Sequence, residues 1–436
     1  MSGPIDFDLT LPTFRLEGGA SLRHHMVRGW IWGPDGDAEV ISSRANPVEV
    51  TPWQVVRRNL DRPMLRHFHS PLRRSGRGLD PRIPTVLVVH ALTGDCRASE
   101  WWAPIIGPDR PIDPRRVRVL CLNLLGSCYG TSGPADAGFP TSDSDLEGPQ
   151  GSDLPATVTT WDQARSILLA LDALGVLRVH LALGGSLGGM VTLALAALDP
   201  NRFERIMPIA ATDAASPWLI AWNHVARHAV LSDPRFPEDV SDGLSLARQI
   251  AMVTYRAERS LESTQGRQQH GGGWHPQGAY KVQTYLEHQG RKLAARFDGR
   301  SYLALIGAMD HHDLSRSPPQ PAACERWRHG EAFGMKTIGW GLSRIRASTL
   351  AVGIDTDRLY DPAESFRVSE RLADHGVYAQ YREINSMHGH DAFLIEWAQL
   401  DPLVREAMSL PAGEEAMAIP VASASSEPSG SSRNVH

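Results

Sequence analysis

Gly184-Gly185-Ser186-Leu187-Gly188 sets a serine between glycines two positions away on either side. The stretch joins one apolar run, Val179-His180-Leu181-Ala182-Leu183, to a second, Met190 to Leu198, which stops at Asp199-Pro200. The first run is short and bounded by Gly, as a buried strand is. The second is Ala/Leu-rich, as a helix is. A Gly-x-Ser-x-Gly turn between strand and helix holds its serine in a strained conformation, so the flanking positions must lack side chains. It also places the hydroxyl at a helix N-terminus, where free N–H groups favour developing negative charge. These are the features of a nucleophile that forms an acyl-enzyme. Gly243-Leu244-Ser245-Leu246-Ala247 nearly matches, but it lacks the last Gly and lies in a helix-like stretch.

Such a serine needs a base, and the base needs an orienting carboxylate. Behind this kind of turn the chain order is Ser, then acid, then His. After the strand Thr349–Ile354 come Asp355-Thr356-Asp357-Arg358-Leu359-Tyr360. Asp355 ends the strand, whereas Asp357 lies in the loop, where a side chain can turn toward a His. Asp357 is therefore favoured, and turn or capping roles fit Asp355 and Asp361. After the last strand, Tyr378–Ile384, the stretch Asn385-Ser386-Met387-His388-Gly389-His390-Asp391 offers two bases, His388 and His390, and position leaves both open. Two N–H donors must hold the oxyanion: Leu187, next to the serine, and Leu92, in the loop His90-Ala91-Leu92-Thr93-Gly94 after an early strand. His90 itself reads as structural. His311-His312-Asp313 lacks a helical His-Glu-x-x-His frame and a third spaced ligand, so no metal is expected. Neither GxxxxGK[ST] nor GxGxxG occurs, so no phosphate-binding motif announces a nucleotide.

The elements that position these residues alternate. Apolar strands at Thr85–Val89, Val117–Asn123, Val179–Leu183, Arg205–Ala211, Thr349–Ile354 and Tyr378–Ile384 are separated by helical patterns. This predicts an α/β fold, a mostly parallel central sheet covered on both faces. Residues 1–12 read as a flexible N-terminus and 13–215 as the first part of the core, with two antiparallel edge strands between Phe14 and Ile41. Residues 216–341 lose the strand signal and read as an inserted helical lid, with helices over Trp218–His228, Val240–Tyr255 and Gln277–Phe297. The core resumes over 342–410, with a last helix from Ala392 to Met408, and 411–436 reads as a disordered tail.

Within the core, 43–82 is an Arg/Pro-rich insertion: Arg57, Arg58, Arg62, Arg66, Arg73, Arg74, Arg77 and Arg82 stand against Glu49, Asp61 and Asp80. A solvated insertion with a short helix near Trp53–Leu60 is favoured over a basic patch for an anionic partner. The chain has 436 residues, 42% hydrophobic and 21% charged, with a net charge of -5, which gives no reason to expect nucleic acid. Four cysteines with no Cys-x-x-Cys spacing, no secretory signal and no membrane-spanning apolar run lead to the expectation of a cytoplasmic protein without membrane contact.

Longer stretches carry a resemblance. They are His90-Ala91-Leu92-Thr93-Gly94-Asp95, Trp101-Trp102, Asn123 to Pro134, Gly184 to Met190, Thr254-Tyr255-Arg256, Ala308-Met309-Asp310-His311-His312-Asp313, Asp355 to Tyr360, and Gly389-His390-Asp391-Ala392-Phe393-Leu394. In this order the chain resembles the homoserine O-acyltransferases of the α/β-hydrolase fold. The resemblance implies that Ser186 is the nucleophile, Asp357 the acid and His390, rather than His388, the base. It implies that Asp391 binds the substrate amine and Arg227 its carboxylate. It further implies acetyl-CoA as donor substrate with no permanently bound cofactor, L-homoserine as acceptor, a place in methionine synthesis, and a homodimer through the lid. Succinyl-CoA as donor, serine as acceptor, or an esterase or thioesterase on the same triad are the alternatives. The chain departs from the family at 43–82, which is longer than usual, and at Leu261-Glu262-Ser263-Thr264-Gln265, where a Phe- and Arg-rich continuation is expected.

Overall fold

The structure is a computed structural model. It describes residues 3–34, 79–142, 154–317 and 340–416 (less 12, 272 and 414), together with 37, 41, 46, 47 and 55–57. Along the chain the first strands are β1 (Ile5–Leu11), β2 (Phe14–Arg15), β3 (Ser21–Leu22), β4 (His25–Trp32) and β5 (Asn46–Pro47). Then come β6 (Thr85–Val89), a short helix α1 (Ala98–Trp101), β7 (Arg118–Leu122), α2 (Thr160–Leu174), β8 (Leu181–Gly185), α3 (Leu187–Leu198) and β9 (Arg205–Ile209). The described strands make one nine-stranded sheet in the order β11-β10-β9-β8-β6-β7-β4-β1-β5, with β2 and β3 as a separate hairpin; β10 is Ser348–Ile354 and β11 is Ala379–Ile384. From β7 to β11 the pairings are parallel, and β4, β1 and β5 extend the sheet antiparallel.

Sequence periodicity explains the layering. In β6, Leu87 and Val89 join the apolar layer of α2 and α3, while Val86 and Val88 join the opposite layer with Trp102, Ile105 and Leu400. Both faces are covered, so the parallel strands are apolar throughout. Helix α2 begins at a capping box between Thr159 and Asp162 and ends at Gly175, whose φ of 77° is the left-handed cap a glycine permits.

The N-terminus corrects one expectation. Residues 1–12 are not loose along their whole length: β1 pairs along its full length with β4. Ile5, Phe7, Leu9 and Leu11 alternate with Asp6, Asp8 and Thr10, the period of a half-buried strand. Acidic residues are poor strand formers, but each here meets an arginine. Arg28 donates to both Asp8 oxygens at 2.8 and 2.7 Å, and Arg97 to Asp6 at 3.2 and 2.8 Å. The insertion 43–82, with its short helix near Trp53–Leu60, lies mostly outside the described residues, as does the tail beyond 416.

Of the six helices that the described chain forms between β9 and β10, the first five make the inserted block. They are α4 (Pro217–Leu231), α5 (Ser241–Tyr255), α6 (Glu258–Thr264), α7 (Lys281–Ala294) and α8 (Gly299–Asp310). Helix α5 packs on both α4 and α7, and α4 on α8. The next helix, α9 (Trp340–Arg344), already belongs to the sheet layer. Trp340 meets Trp161 edge-on at 5.9 Å, and Arg344 Nε donates to the Ala197 carbonyl at 3.0 Å. After β10 come α10 (Pro362–Asp374), a 3-10 turn over Gly389–Leu394 and α11 (Trp397–Ser409). The single helix expected from Ala392 is thus two pieces, broken at Ile395–Glu396. No helix among the described residues is long and apolar enough to cross a membrane.

Candidate active site

Ser186 sits at the carboxyl end of β8 and caps α3, with φ 57° and ψ -127°. A non-glycine residue at positive φ costs roughly 1–3 kcal/mol and persists only where its surroundings hold it. Its N–H donates to the Ile209 carbonyl at 2.9 Å, and its carbonyl accepts from Gly189 and Met190 at 2.8 and 3.1 Å. The glycines are required by crowding. A Cβ on Gly184 would lie 2.6 Å from the Val89 carbonyl oxygen, one on Gly188 would strike the same oxygen, and one on Gly185 would lie 2.5 Å from the Phe393 ring.

The other two members come from the ends of neighbouring strands. β10 and β11 pair in parallel with Ile354 opposite Ile384, which brings the loops after them together. His390 Nδ1 lies 2.6 Å from Asp357 Oδ2, and both residues are buried. Asp357 Oδ1 accepts the N–H groups of Leu359 and Tyr360 at 2.8 and 2.9 Å. A carboxylate only accepts, so Nδ1 carries the imidazole proton and Nε2 keeps its lone pair for a substrate or nucleophile proton. Burial pulls the His390 pKa down, but the charge and hydrogen bond of Asp357, with Asp391 adding, pull harder and leave it raised. Asp355 has the structural role expected for it, accepting the Ser386 N–H at 2.8 Å. Asp361 caps α10 through the Ala363 N–H.

Leu187 is the first residue of α3, so its N–H has no partner within the helix. The Leu92 N–H has no acceptor among the described residues. The Ala91–Leu92 peptide is planar, so the Ala91 carbonyl and the Leu92 N–H point in opposite directions. That carbonyl accepts from Gly94 N–H at 2.9 Å and from His90 Nδ1 at 2.8 Å. His90 Nε2 accepts the Leu124 N–H at 3.0 Å, which fixes the proton on Nδ1. Burial lowers the His90 pKa to about 4, so it stays neutral. It is structural, as its position led us to expect, and the structure it supports is the peptide that carries the Leu92 N–H.

Arg227 is not beside Asp391. It ion-pairs with Asp310, which also accepts from Asn223 Nδ2 at 2.7 Å, all between α4 and α8. The guanidinium beside Asp391 belongs to Arg256, just past the end of α5, with Nε 3.5 Å from Oδ2. Arg256 Nη1 also lies 3.3 Å from Nδ1 of His388, the histidine that Asp357 does not orient. The Arg256 Nε is buried without a hydrogen-bond partner among the described residues, so a donor is left over there. Arg256 stood in the Thr254-Tyr255-Arg256 stretch, but helical spacing does not say which lid arginine meets the 3-10 turn. The close approach is set by Gly389 at φ 66°, where a Cβ would lie 2.6 Å from the Tyr255 carbonyl.

His312, from the His311-His312-Asp313 stretch, is buried between the Thr160 hydroxyl and the Thr212 carbonyl at 2.8 and 2.9 Å. No group of three or more His, Cys, Asp or Glu residues able to hold a metal occurs among the described residues.

A serine on a strand-to-helix elbow, a buried Asp–His pair on the loops after β10 and β11, and two N–H groups with no acceptor among the described residues are the parts of an α/β-hydrolase site. The family model for the alpha/beta hydrolase fold matches residues 84–410. Within that class the chain belongs to the homoserine O-acetyltransferase family. It is 38% identical over 339 residues to a homoserine O-acetyltransferase of Moorella thermoacetica, covering 73% of this chain and 84% of that one. Among solved structures, a homoserine O-acetyltransferase from Bacillus anthracis superposes with a TM-score of 0.70 at 17% identity, covering 95% of this chain and 100% of that one. The esterase E22 superposes with a TM-score of 0.67 at 16% identity, covering 93% and 100%. At such identities the two structures speak for the fold alone.

Proposed function

We propose that the protein is an O-acyltransferase that moves the acetyl group of acetyl-CoA to the side-chain hydroxyl of L-homoserine through an acyl-enzyme on Ser186, a step toward methionine. The observation that carries this reading is the Asp391–Arg256 pair, directly beside the buried His390. A hydrolase that admits water needs no such pair. An amino-acid acceptor has a use for both charges: its ammonium takes Asp391 and its carboxylate takes Arg256, in place of their loose mutual contact.

His390 Nε2 removes the Ser186 proton, and Oγ attacks the thioester carbonyl carbon. The oxyanion falls on the N–H groups of Leu187 and Leu92, each worth roughly 3 kcal/mol. Collapse breaks the C–S bond, and His390 returns the proton to the departing thiolate. The homoserine hydroxyl then gives its proton to His390 and attacks the acyl carbon. The second collapse frees Ser186, which takes its proton back. Holding the zwitterion by both charges converts the second attack into an effectively intramolecular step.

We also infer a homodimer through the lid. Trp218, Val225, Leu246 and Val253 stay exposed on α4 and α5, an apolar face that a second copy would cover.

CoA release, followed with a thiol reagent with and without homoserine, tests the reaction. Release that requires homoserine supports it. Acceptor-independent release would make water the partner and the protein a thioesterase. Parallel runs with succinyl-CoA and serine show whether the donor or acceptor has been misnamed.

A further inference from the structure

The loop that carries the Leu92 donor is held at two points, and the second belongs to the lid. His90 fixes the Ala91 carbonyl from within the core. Beyond Leu92, the Thr93 carbonyl accepts from Arg296 Nη1 at 2.9 Å. Arg296 follows α7 directly, two residues after its end, and its N–H still bonds the Leu293 carbonyl of that helix at 2.9 Å. The same Nη1 donates to the Tyr129 hydroxyl at 2.7 Å, and that hydroxyl donates back to the Arg296 carbonyl at 2.9 Å. Tyr129 is in turn fixed to the core, its carbonyl accepting from Asn123 Nδ2 at 2.7 Å, and its ring meets Phe297 edge-on at 5.5 Å. A buried tyrosine thus locks the arginine to the core, and the arginine locks the loop.

We propose that Arg296 is a positioning residue through which the seated lid sets the oxyanion hole, so that the Leu92 N–H is aimed at the reacting carbonyl only while α7 is docked. The Ala91–Leu92 peptide that carries the donor is held through its carbonyl, by His90 directly and by the Gly94 N–H of the Thr93–Gly94 peptide, whose carbonyl is the one Arg296 takes. The hold from His90 is permanent, because it is buried in the core. The hold from Arg296 travels with the lid. A lid that shifts to admit acyl-CoA or release product takes the Arg296 contact with it and turns the donor away. Acylation is thereby confined to the closed state, in which water is excluded from the acyl-enzyme. This inference rests on the acyl-enzyme reading of Ser186 but not on the identity of the acceptor.

The test compares the full-length protein with Arg296→Gln and Arg296→Lys, using the pre-steady-state burst from p-nitrophenyl acetate and steady-state acyl transfer. Arg296→Gln is expected to slow acylation on the order of 10- to 100-fold, since losing an oxyanion donor costs on the order of 10²–10³. The KM for the acceptor should stay within about threefold. Arg296→Lys, which still brings a donor to Thr93, should recover part of the rate. A boronic acid that forms a tetrahedral adduct on Ser186 should lose affinity by the same factor as acylation, which a loss of packing would not cause. Burst amplitude counts competent sites, so a partly unfolded variant lowers the amplitude rather than the rate constant. Acylation by Arg296→Gln within twofold of wild type, or a boronate affinity that does not change, would overturn the proposal. A burst without CoA-dependent transfer would instead refute the transferase reading and leave this comparison intact.

Discussion

The Tyr360 ring lies stacked on the His390 imidazole, with centroids 5.1 Å apart and planes 23° apart. The same residue donates its backbone N–H to Asp357, and its hydroxyl reaches Met190 Sδ at 3.7 Å and interacts with the Ser186 side chain. One residue thus touches Ser186, Asp357 and His390. Burial pushes its phenol well above the ordinary range, so it remains a proton donor. Tyr360→Phe keeps the ring and the N–H and removes only the hydroxyl. A single hydrogen bond nets about 0.5–1.5 kcal/mol, so kcat is expected to fall about 3- to 10-fold with KM unchanged. A KM change without a kcat change would place the hydroxyl in substrate binding instead.

The base must be neutral to accept a proton. The His390 pKa is raised from 6.5, so acylation should be full above that raised value and fall as pH drops through it. Asp391 is one of the charges that raises it. Asp391→Asn is therefore expected to move the acid limb of the p-nitrophenyl acetate burst to lower pH. A limb that moves upward would show that Asp391 does not act on His390.

The two lid arginines separate by kinetics. Arg256→Gln and Asp391→Asn should each raise the KM for homoserine 10-fold or more, as loss of a charge-assisted contact of about 1.5–3 kcal/mol does, and leave acylation near wild type. Arg227→Gln should instead lower the melting temperature, because it leaves Asp310 with only Asn223 and no opposite charge, and change the KM little. The reverse result would return Arg227 to the carboxylate site.

Glu364, in the first turn of α10, has one carboxyl oxygen buried without a hydrogen-bond partner among the described residues. Burial above all, with Asp361 and Asp357 adding, lifts its pKa to about 7, against the opposing pull of Arg367 and Ser216. A raised carboxyl favours the fold fully below its unfolded pKa of 4.5, and that contribution is lost as pH rises toward 7. Glu364→Gln should therefore raise the melting temperature at pH 8 and change it little at pH 4. Equal melting temperatures at pH 8 would mean the carboxylate is solvated.

Much of the site was legible because its chemistry constrains local sequence. The elbow needs glycines at fixed offsets from Ser186, and the acid and base must follow particular strands, so Asp357 emerged from position. His390 emerged from the family resemblance where position left His388 open. The contacts that resisted reading are tertiary. Nothing near Asp6 and Asp8 announces Arg97 and Arg28, whose ion pairs help seat β1 in a stretch read as a flexible N-terminus. Helical periodicity groups lid residues by face but does not say which face docks; Arg227 came from the family resemblance, and the contact of Arg256 with Asp391 was not legible in the spacing. Arg296 is bound to Thr93 across 203 residues of chain, and Tyr360 acts through a ring stack that spacing does not encode.

The central claim is that Ser186, driven by His390 and Asp357, carries the acyl group between thioester and amino acid. Intact-mass spectrometry of a single turnover tests it directly. Enzyme mixed with excess acetyl-CoA and no acceptor should gain one acetyl group, mapped to Ser186, and lose it within one turnover when homoserine is added, with O-acetylhomoserine formed in equal amount. Ser186→Ala should gain none. Acetylation that persists on Ser186→Ala, or an acyl-enzyme that homoserine fails to discharge, would contradict the account.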